Sequence, residues 1–262
     1  MPSSVQKLLF TARSGKLKTL VEPMDRKIAV LFGAMVRVSV ARSSQTQALS
    51  SLLCTIVVML IGAGLGLAQG SNLGIFTNEA SVGLTPPGVK AQYDPANGEY
   101  RITGGGANIW GTSDAFYFIS KKASGDMTLT ADVQWVGTSS AEHRKAVLMV
   151  RQSLDSASAY ADAVSHGNGL TSLQFRGAAN EQTYQVTTQI EGRVRLRIER
   201  KGSRFTMYAG KPNEELKMVG PIEYVGMQDP VYVGIGVCSH VATTLETAIF
   251  SNVKIEETAA AK

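Results

Sequence analysis

The chain has 262 residues, 44% of them hydrophobic, with 26 Lys and Arg residues against 21 Asp and Glu residues. Eight of the basic and two of the acidic residues lie in 1–68, which leaves 18 basic and 19 acidic residues for 69–262. A nucleic-acid-binding domain keeps its basic excess in the folded domain, because phosphate neutralisation supplies most of its affinity. This distribution argues against a nucleic-acid partner. Cys54 and Cys238 are too few for a structural zinc site, and Cys238 is expected to be a small buried residue of a strand.

The first recognisable element is an apolar run, Leu52–Ala68, that contains no charged residue. Arg37 and Arg42 precede it and small residues end it, which is the order typical of a signal peptide. We predict a hydrophobic signal helix over 49–68, cleavage after Ala68, and a secreted or periplasmic protein. The alternative is an uncleaved anchor, which would be the chain's only membrane contact.

The segment before this run is longer than a signal peptide needs ahead of its apolar core. Met24 and Met35 are alternatives to Met1 as the true start. We therefore interpret 1–48 as an extension that is poorly ordered or wrongly included in the reading frame. At the other end of the chain, 258–262 is expected to be a frayed tail.

Between these ends, over 71–257, the pattern is that of β-strands. The runs are short, rich in β-branched and aromatic residues, and separated by Gly, Asn, Asp and Pro. The predicted strands are Glu99–Thr103, Ala115–Ile119, Met127–Val136, Lys145–Arg151, Tyr160–Ser165, Leu170–Arg176, Thr183–Thr188, Arg193–Arg200, Arg204–Ala209, Val231–Ser239 and Thr247–Ile255. Strands at this spacing, without helical periodicity, predict an all-β sandwich or barrel.

Alternation of polar and apolar residues predicts which side of each strand faces the core. In Met127–Trp135 every second residue is apolar, which places Trp135 on the core side with Leu129 and Val133. Lys145–Arg151 is apolar on both sides, so we expect it to be a central strand.

Five segments resemble a known family: Gly98–Phe118, Ser124–Val133, His143–Ser153, Asp229–His240 and Leu245–Glu256. Together they are similar to a bacterial domain of unassigned function in the concanavalin A-like lectin/glucanase superfamily. The resemblance implies a jelly roll of two curved antiparallel sheets. It also implies an exported protein, since relatives occur in such proteins, sometimes beside Tol-type propeller repeats or carbohydrate-active domains. It implies no catalytic residues, because the family has no agreed set.

The β-glucanases of that superfamily place three carboxylates at alternating positions on one strand, where they act as nucleophile, orienting group and general acid. This chain has no such run. Its acidic pairs, Glu214–Glu215 and Glu256–Glu257, are consecutive and would point to opposite sides of a strand. The sequence therefore argues against a retaining glucanase.

The best candidate binding surface consists of polar residues that alternate with core residues on three successive strands. These residues are Arg151, Tyr160, Asp162, His166, Gln174 and Arg176. In a jelly roll they could form a concave surface suited to sugar hydroxyls, with a bidentate Arg151–Asp162 ion pair. The alternative is a solvated outer face that binds nothing.

The Gly-rich loop GGGANIWGTSD contributes two further candidates. Trp110 is expected to be exposed in this loop, where its indole could stack on a sugar ring. Asp114 is expected to cap the bend. The loop lacks the Lys-Ser/Thr and the helix of a phosphate-binding loop.

Metal and acid–base candidates are weaker. His143, His166 and His240 lack the spacing of a metal pair, and we expect them to be exposed or locally bonded, the alternative being that they cluster at one rim. No cofactor is predicted. A structural calcium ion is left open, with the turn residues as candidate ligands: Asp94, Asn97, Asp229 and Asn252.

The leading hypothesis from the sequence is an exported, non-enzymatic module that binds a polysaccharide or another glycan. One alternative is a sugar-active enzyme that uses Arg151, Asp162 or His166. The other is a structural or protein-interaction module of the cell envelope.

Overall fold

The computed structural model describes residues 72–221 and 223–257, which form a sandwich of two large antiparallel sheets. The all-β prediction is confirmed. Within these residues no helix occurs, and hence none that is long and apolar enough to cross a membrane. The predicted extension 1–48, the signal helix over 49–68 and the tail 258–262 lie outside the described residues.

The strands follow one another at short intervals along the chain. They are β1 (Asn78–Val82), β2 (Lys90–Asp94), β3 (Glu99–Gly106), β4 (Ile109–Trp110), β5 (Ser113–Asp114), β6 (Phe116–Ala123), β7 (Met127–Trp135), β8 (Lys145–Arg151), β9 (Tyr160–His166), β10 (Leu170–Arg176), β11 (Tyr184–Gln189), β12 (Val194–Lys201), β13 (Arg204–Gly210), β14 (Lys217–Met218), β15 (Glu223–Tyr224), β16 (Val231–Cys238) and β17 (Val241–Glu257).

Strands distant in sequence are neighbours in both sheets. The seven-stranded sheet, here sheet A, has the order β1-β6-β16-β8-β9-β10-β11. The eight-stranded sheet, here sheet B, has the order β14-β13-β12-β7-β17-β3-β2, with β15 also paired to β13. The short strands β4 and β5 form a separate hairpin.

The main core lies between the two sheets and follows the predicted alternation. Leu129 and Val133 of β7 are buried in it, and Trp135 is half-buried against it, as predicted. The prediction for β8 is also confirmed, because it is the middle strand of sheet A and all seven of its residues are buried.

A second, smaller apolar cluster covers the outer face of sheet A. Its buried members are Val82, Ile109, Phe116, Phe118, Val147, Met149, Tyr160, Val164 and Cys238. Ile109 belongs to the β4–β5 hairpin, which returns across this face after β3. Gly106 allows the return, since its φ is +134° and a Cβ there would overlap the carbonyl oxygen of Ala115. Both faces of the central strands of sheet A, β16, β8, β9 and β10, are consequently buried.

Six strands were not predicted from the sequence: β1, β2, β4, β5, β14 and β15. All have two to five residues and lie at sheet edges or in the hairpin. Runs this short carry too little periodicity to be recognised. β17 begins six residues earlier than predicted, and its register shifts twice against its neighbours.

Candidate ligand-binding site

The structure brings the predicted polar residues of β8, β9 and β10 together on the outer face of sheet A. Tyr160 lies opposite Arg151 on one side and Arg176 on the other, and Asp162 lies opposite Gln174. His166 is further along the same face of β9. The alternation had therefore identified one continuous surface.

That surface is closed. Arg151, Asp162 and Arg176 are fully buried, and none of the six predicted residues is more than 3% exposed. The expectation of an open concave surface is wrong, and so is the alternative of a solvated face. The reason is the β4–β5 hairpin and the turn that follows β8, which together cover this part of the sheet.

Asp114, at the end of β5, attaches the hairpin to sheet A. Its carboxylate accepts two hydrogen bonds from Arg176, at 2.7 and 2.9 Å, and one from Arg151 at 3.4 Å. Arg176 also donates to the carbonyl oxygen of Gly111 at the hairpin turn, at 3.0 and 3.2 Å. The expected role of Asp114 as a cap of the bend is thus wrong. We call Asp114, Arg151 and Arg176 the Asp114 cluster.

The predicted Arg151–Asp162 ion pair does not form. Arg151 uses its donors on Asp114 and on the carbonyl oxygens of Ser153 and Asp155, each at 2.6 Å. Arg151 lies opposite Tyr160, whereas Asp162 is two residues further along the strand, roughly 6.6 Å away at 3.3 Å per residue.

Asp162 is the most unusual group on this face. It is completely buried, and no side chain donates a hydrogen bond to its carboxylate oxygens. Burial raises the pKa of Asp162 well above its ordinary value, against the opposing effect of the Lys145 ammonium. Ser172 Oγ, on the same face of the neighbouring strand, is also buried without a partner. The centre of the face therefore has unused hydrogen-bonding capacity.

Lys145 is a member of this face that the predicted set omitted. Its ammonium donates to the carbonyl oxygen of Ile109 at 2.7 Å and to Gln174 Oε1 at 3.3 Å, so it holds the hairpin from the sheet side. Burial lowers the pKa of Lys145, opposed by the charge of Asp162. Lys145 begins the strand that ends in Arg151 and lies on the same side of it, which is the signal that could have found it.

The three histidines gather at one end of the sheet, as the clustering alternative predicted. The ring centroid of His143 lies 6.1 Å from that of His166 and 5.5 Å from that of His240. His166 is buried and its Nδ1 lies 2.9 Å from the carbonyl oxygen of Leu170, a local bond. Burial, with the charge of Lys145, lowers the pKa of His166 to about 3, so its imidazole is neutral.

The described residues provide no set of ligands for a metal ion at the histidines or for a structural calcium ion. Among residues 72–221 and 223–257, no three His, Cys, Asp or Glu side chains stand where they could hold a metal ion. Of the calcium candidates, Asn97 and Asp94 are hydrogen-bonded to each other, whereas Asp229 accepts from Arg200 and Asn252 donates to Asp132.

Trp110 is an exposed aromatic residue of the hairpin. Its side chain is 37% exposed, as predicted for the Gly-rich loop, and the Lys145 ammonium lies over its ring, 5.3 Å from the centroid. The adjacent Gly111 accepts a hydrogen bond from Thr183, the residue before β11. The hairpin tip thus lies beside the edge strand of sheet A.

β11 continues the outer face past the hairpin. Gln185 lies opposite Gln174, whose amide donates to it at 3.1 Å, and Thr187 and Gln189 follow on the same side of the strand. All three β11 residues are exposed and uncharged. We call Trp110, Gln185, Thr187 and Gln189 the Trp110 platform. It combines an aromatic ring with a row of amide and hydroxyl groups, whereas the other predicted residues are buried on the neighbouring strands and in the hairpin.

Neither a protein-family model nor a curated protein matches this chain. Solved structures similar to it include a functionally unknown protein from Saccharomyces cerevisiae, with a TM-score of 0.52 and 15% identity over 69% of this chain and 96% of that one. Carbohydrate binding module CBM66 from Bacillus subtilis has a TM-score of 0.45 and 16% identity, over 70% of this chain and 98% of that one. Xyloglucan PUL GH43B from Bacteroides ovatus has a TM-score of 0.47 and 19% sequence identity. The match covers 62% of this chain and 33% of that one, so this chain spans about a third of the length of that protein. These likenesses concern the fold.

Proposed function

We propose that this protein is an exported glycan-binding module, built as a concanavalin A-like jelly roll, whose ligand surface is the Trp110 platform. The observation that carries the proposal is the exposed indole of Trp110 beside a row of uncharged amide and hydroxyl side chains. A pyranose ring has an apolar face that packs on an aromatic ring, and hydroxyl groups that pair with amides. The platform offers both kinds of contact.

The buried residues beneath the platform contribute by holding it in place. Asp114, Arg176 and Lys145 fix the hairpin through hydrogen bonds to its turn and its backbone. A surface that is fixed before the ligand arrives loses less conformational entropy on binding. The predicted site residues are thus proposed to act as supports of the ligand surface.

Binding is favoured over catalysis because of where the carboxylates lie. Asp114 and Asp162, the acidic residues of this face, are 2% and 0% exposed, so a substrate on the platform would not touch them. The platform row itself carries no charge. We therefore expect neutral polysaccharides to bind better than uronates or sulfated glycans.

The test is retention of the full-length chain on a glycan array and on insoluble polysaccharides, with Trp110→Ala as the variant. We expect binding to a neutral glycan that weakens about tenfold or more, about 1.4 kcal/mol, when the indole is removed. Tyr224→Ala is the matched control, since Tyr224 is an exposed aromatic residue of β15 in sheet B. Equal retention of the Trp110→Ala variant would exclude the platform, and no retention on any glycan would exclude the function.

Export is tested separately, by mass spectrometry of the protein from fractionated cells. We expect a mature N-terminus at Gln69, which follows the predicted cleavage site after Ala68. An intact leader in the cytoplasmic fraction would contradict the location and leave the glycan assay as an independent result.

A further inference from the structure

The sandwich has two edges in each sheet, and they are protected to different degrees. Sheet A ends in β1 and β11, and sheet B ends in β2 on one side and in β14 and β15 on the other. An edge strand presents unpaired backbone groups to solvent, and proteins that remain monomeric usually blunt such edges with charged residues, proline or very short strands.

Every edge except β11 carries such a device. β1 contains Glu79 and β2 contains Lys90 and Asp94, while β14 and β15 have two residues each and contain Lys217 and Glu223. β11 has the sequence YQVTTQ, six residues without charge, proline or glycine. Its residues are of the types enriched in strands or neutral in them.

In the part of the chain that the structure describes, no strand pairs with the second side of β11. β11 forms its ladder with β10 over six residue pairs and is the last strand of sheet A. Four of its six side chains, those of Tyr184, Gln185, Thr187 and Gln189, are exposed. The remaining two, Val186 and Thr188, are half-buried on the inner side.

We infer that β11 is a pairing edge for a second copy of this chain. Two copies of β11 paired antiparallel about a two-fold axis place like faces on the same side of a continuous sheet. With Thr187 on the axis, Gln185 of one copy lies opposite Gln189 of the other, and Val186 lies opposite Thr188. No charged residue opposes another of the same sign along the strand, and the facing amides can bond to each other.

A second copy fits this edge because β11 is its own complement. One face of β11 carries neutral side chains that form hydrogen bonds, and these can bond to the same side chains of a second copy. The other face carries Val186 and Thr188, which would contact each other across the two strands. The inference rests on the strand and not on glycan binding. It has one consequence for the proposed function, that two Trp110 platforms would lie on the same face of one fourteen-stranded sheet.

The experiment is sedimentation velocity of the full-length chain, with Thr187→Lys as the variant. We expect the wild type to be a dimer and Thr187→Lys to weaken it about tenfold or more, because two lysines meet at the axis. Gln92→Lys is the matched control, an equal charge on the exposed face of edge strand β2, and should leave the dimer intact.

A mixture of Thr187→Lys and Thr187→Glu should restore the dimer, since opposite charges then meet. A wild type that is monomeric at all concentrations would overturn the inference. So would association that persists in Thr187→Lys, or that Gln92→Lys abolishes equally. Trp110→Ala should lose the glycan and keep the dimer, which separates failure of this inference from failure of the proposed function.

Discussion

Each sheet carries a pair of arginines around a buried aspartate on its outer face, and the two groups differ in their access to water. In the Asp114 cluster all three side chains are 0% exposed. On sheet B, Asp132 is paired with Arg193 and Arg195, whose side chains are 45% and 30% exposed. We call these three residues the Asp132 cluster.

The difference reverses the effect on the carboxyl group. Burial raises the pKa of Asp114 by more than Arg176 and Arg151 lower it. Burial also raises the pKa of Asp132, but hydrogen bonds from Arg195 and Asn252 outweigh this effect and the net pKa is lowered. With the same residue types, ionisation of the carboxyl group is therefore unfavourable in the Asp114 cluster and favourable in the Asp132 cluster.

The largest expected effect is that of breaking the Asp114 cluster. Arg176→Met should lower the free energy of unfolding by about 3–5 kcal/mol, because it leaves a buried carboxylate facing one weaker partner and several carbonyl oxygens without donors. Urea unfolding measures this loss. A loss below about 1 kcal/mol would show that water enters beneath the hairpin and that the two clusters are equivalent.

A second, smaller effect of opposite sign is expected at Asp162. Its pKa is raised above the unfolded value of 3.8, so the stability from its bound proton is present below that pH and is lost as pH rises through the folded pKa. Asp162→Asn stays neutral and should raise the free energy of unfolding by about 1–3 kcal/mol near neutral pH. The gain should disappear below the pKa of free aspartate.

Asp132→Asn is the matched control for this change, and its effect on the free energy of unfolding should have the opposite sign. The pKa of Asp132 is lowered, so its contribution is present above the unfolded value of 3.8 and is lost as pH falls. This variant should be less stable than the wild type near neutral pH. If Asp162→Asn were destabilising as well, Asp162 would have to be ion-paired with Lys145 in solution.

The same two clusters show what could be predicted from the sequence. The limits of β8 and β10 were predicted without error, because polar and Gly-containing turns bound both runs. The side that carries Arg151, Asp162 and Gln174 was also correct, because the period of two along a strand fixes it. Alternation does not say what covers a face. Sheet A is covered by a Gly-rich segment with no periodicity of its own, so the burial of the site could not be predicted.

The pairing between charged residues could not be predicted from the sequence either. Arg151 and Asp162 are eleven positions apart and lie on neighbouring strands, which made them the natural pair. The actual partner, Asp114, is on a two-residue strand that belongs to neither sheet. Only the return of the chain at Gly106 brings it to Arg151, and a return of this kind leaves no regular pattern in the sequence.

The smallest expected effect is that of opening the Asp132 cluster from its exposed side. Arg195→Met removes two hydrogen bonds to Asp132, at 2.5 and 2.9 Å, while Arg193 and Asn252 still donate to the carboxylate. Because the arginines are partly in water, the loss should be about 1 kcal/mol or less and should shrink at high salt. Urea unfolding at low and high salt measures both. The contrary outcome is a loss of unfolding free energy as large as that of Arg176→Met and independent of salt. It would mean that the contribution of such a cluster depends on burial of the aspartate and not on burial of the arginines.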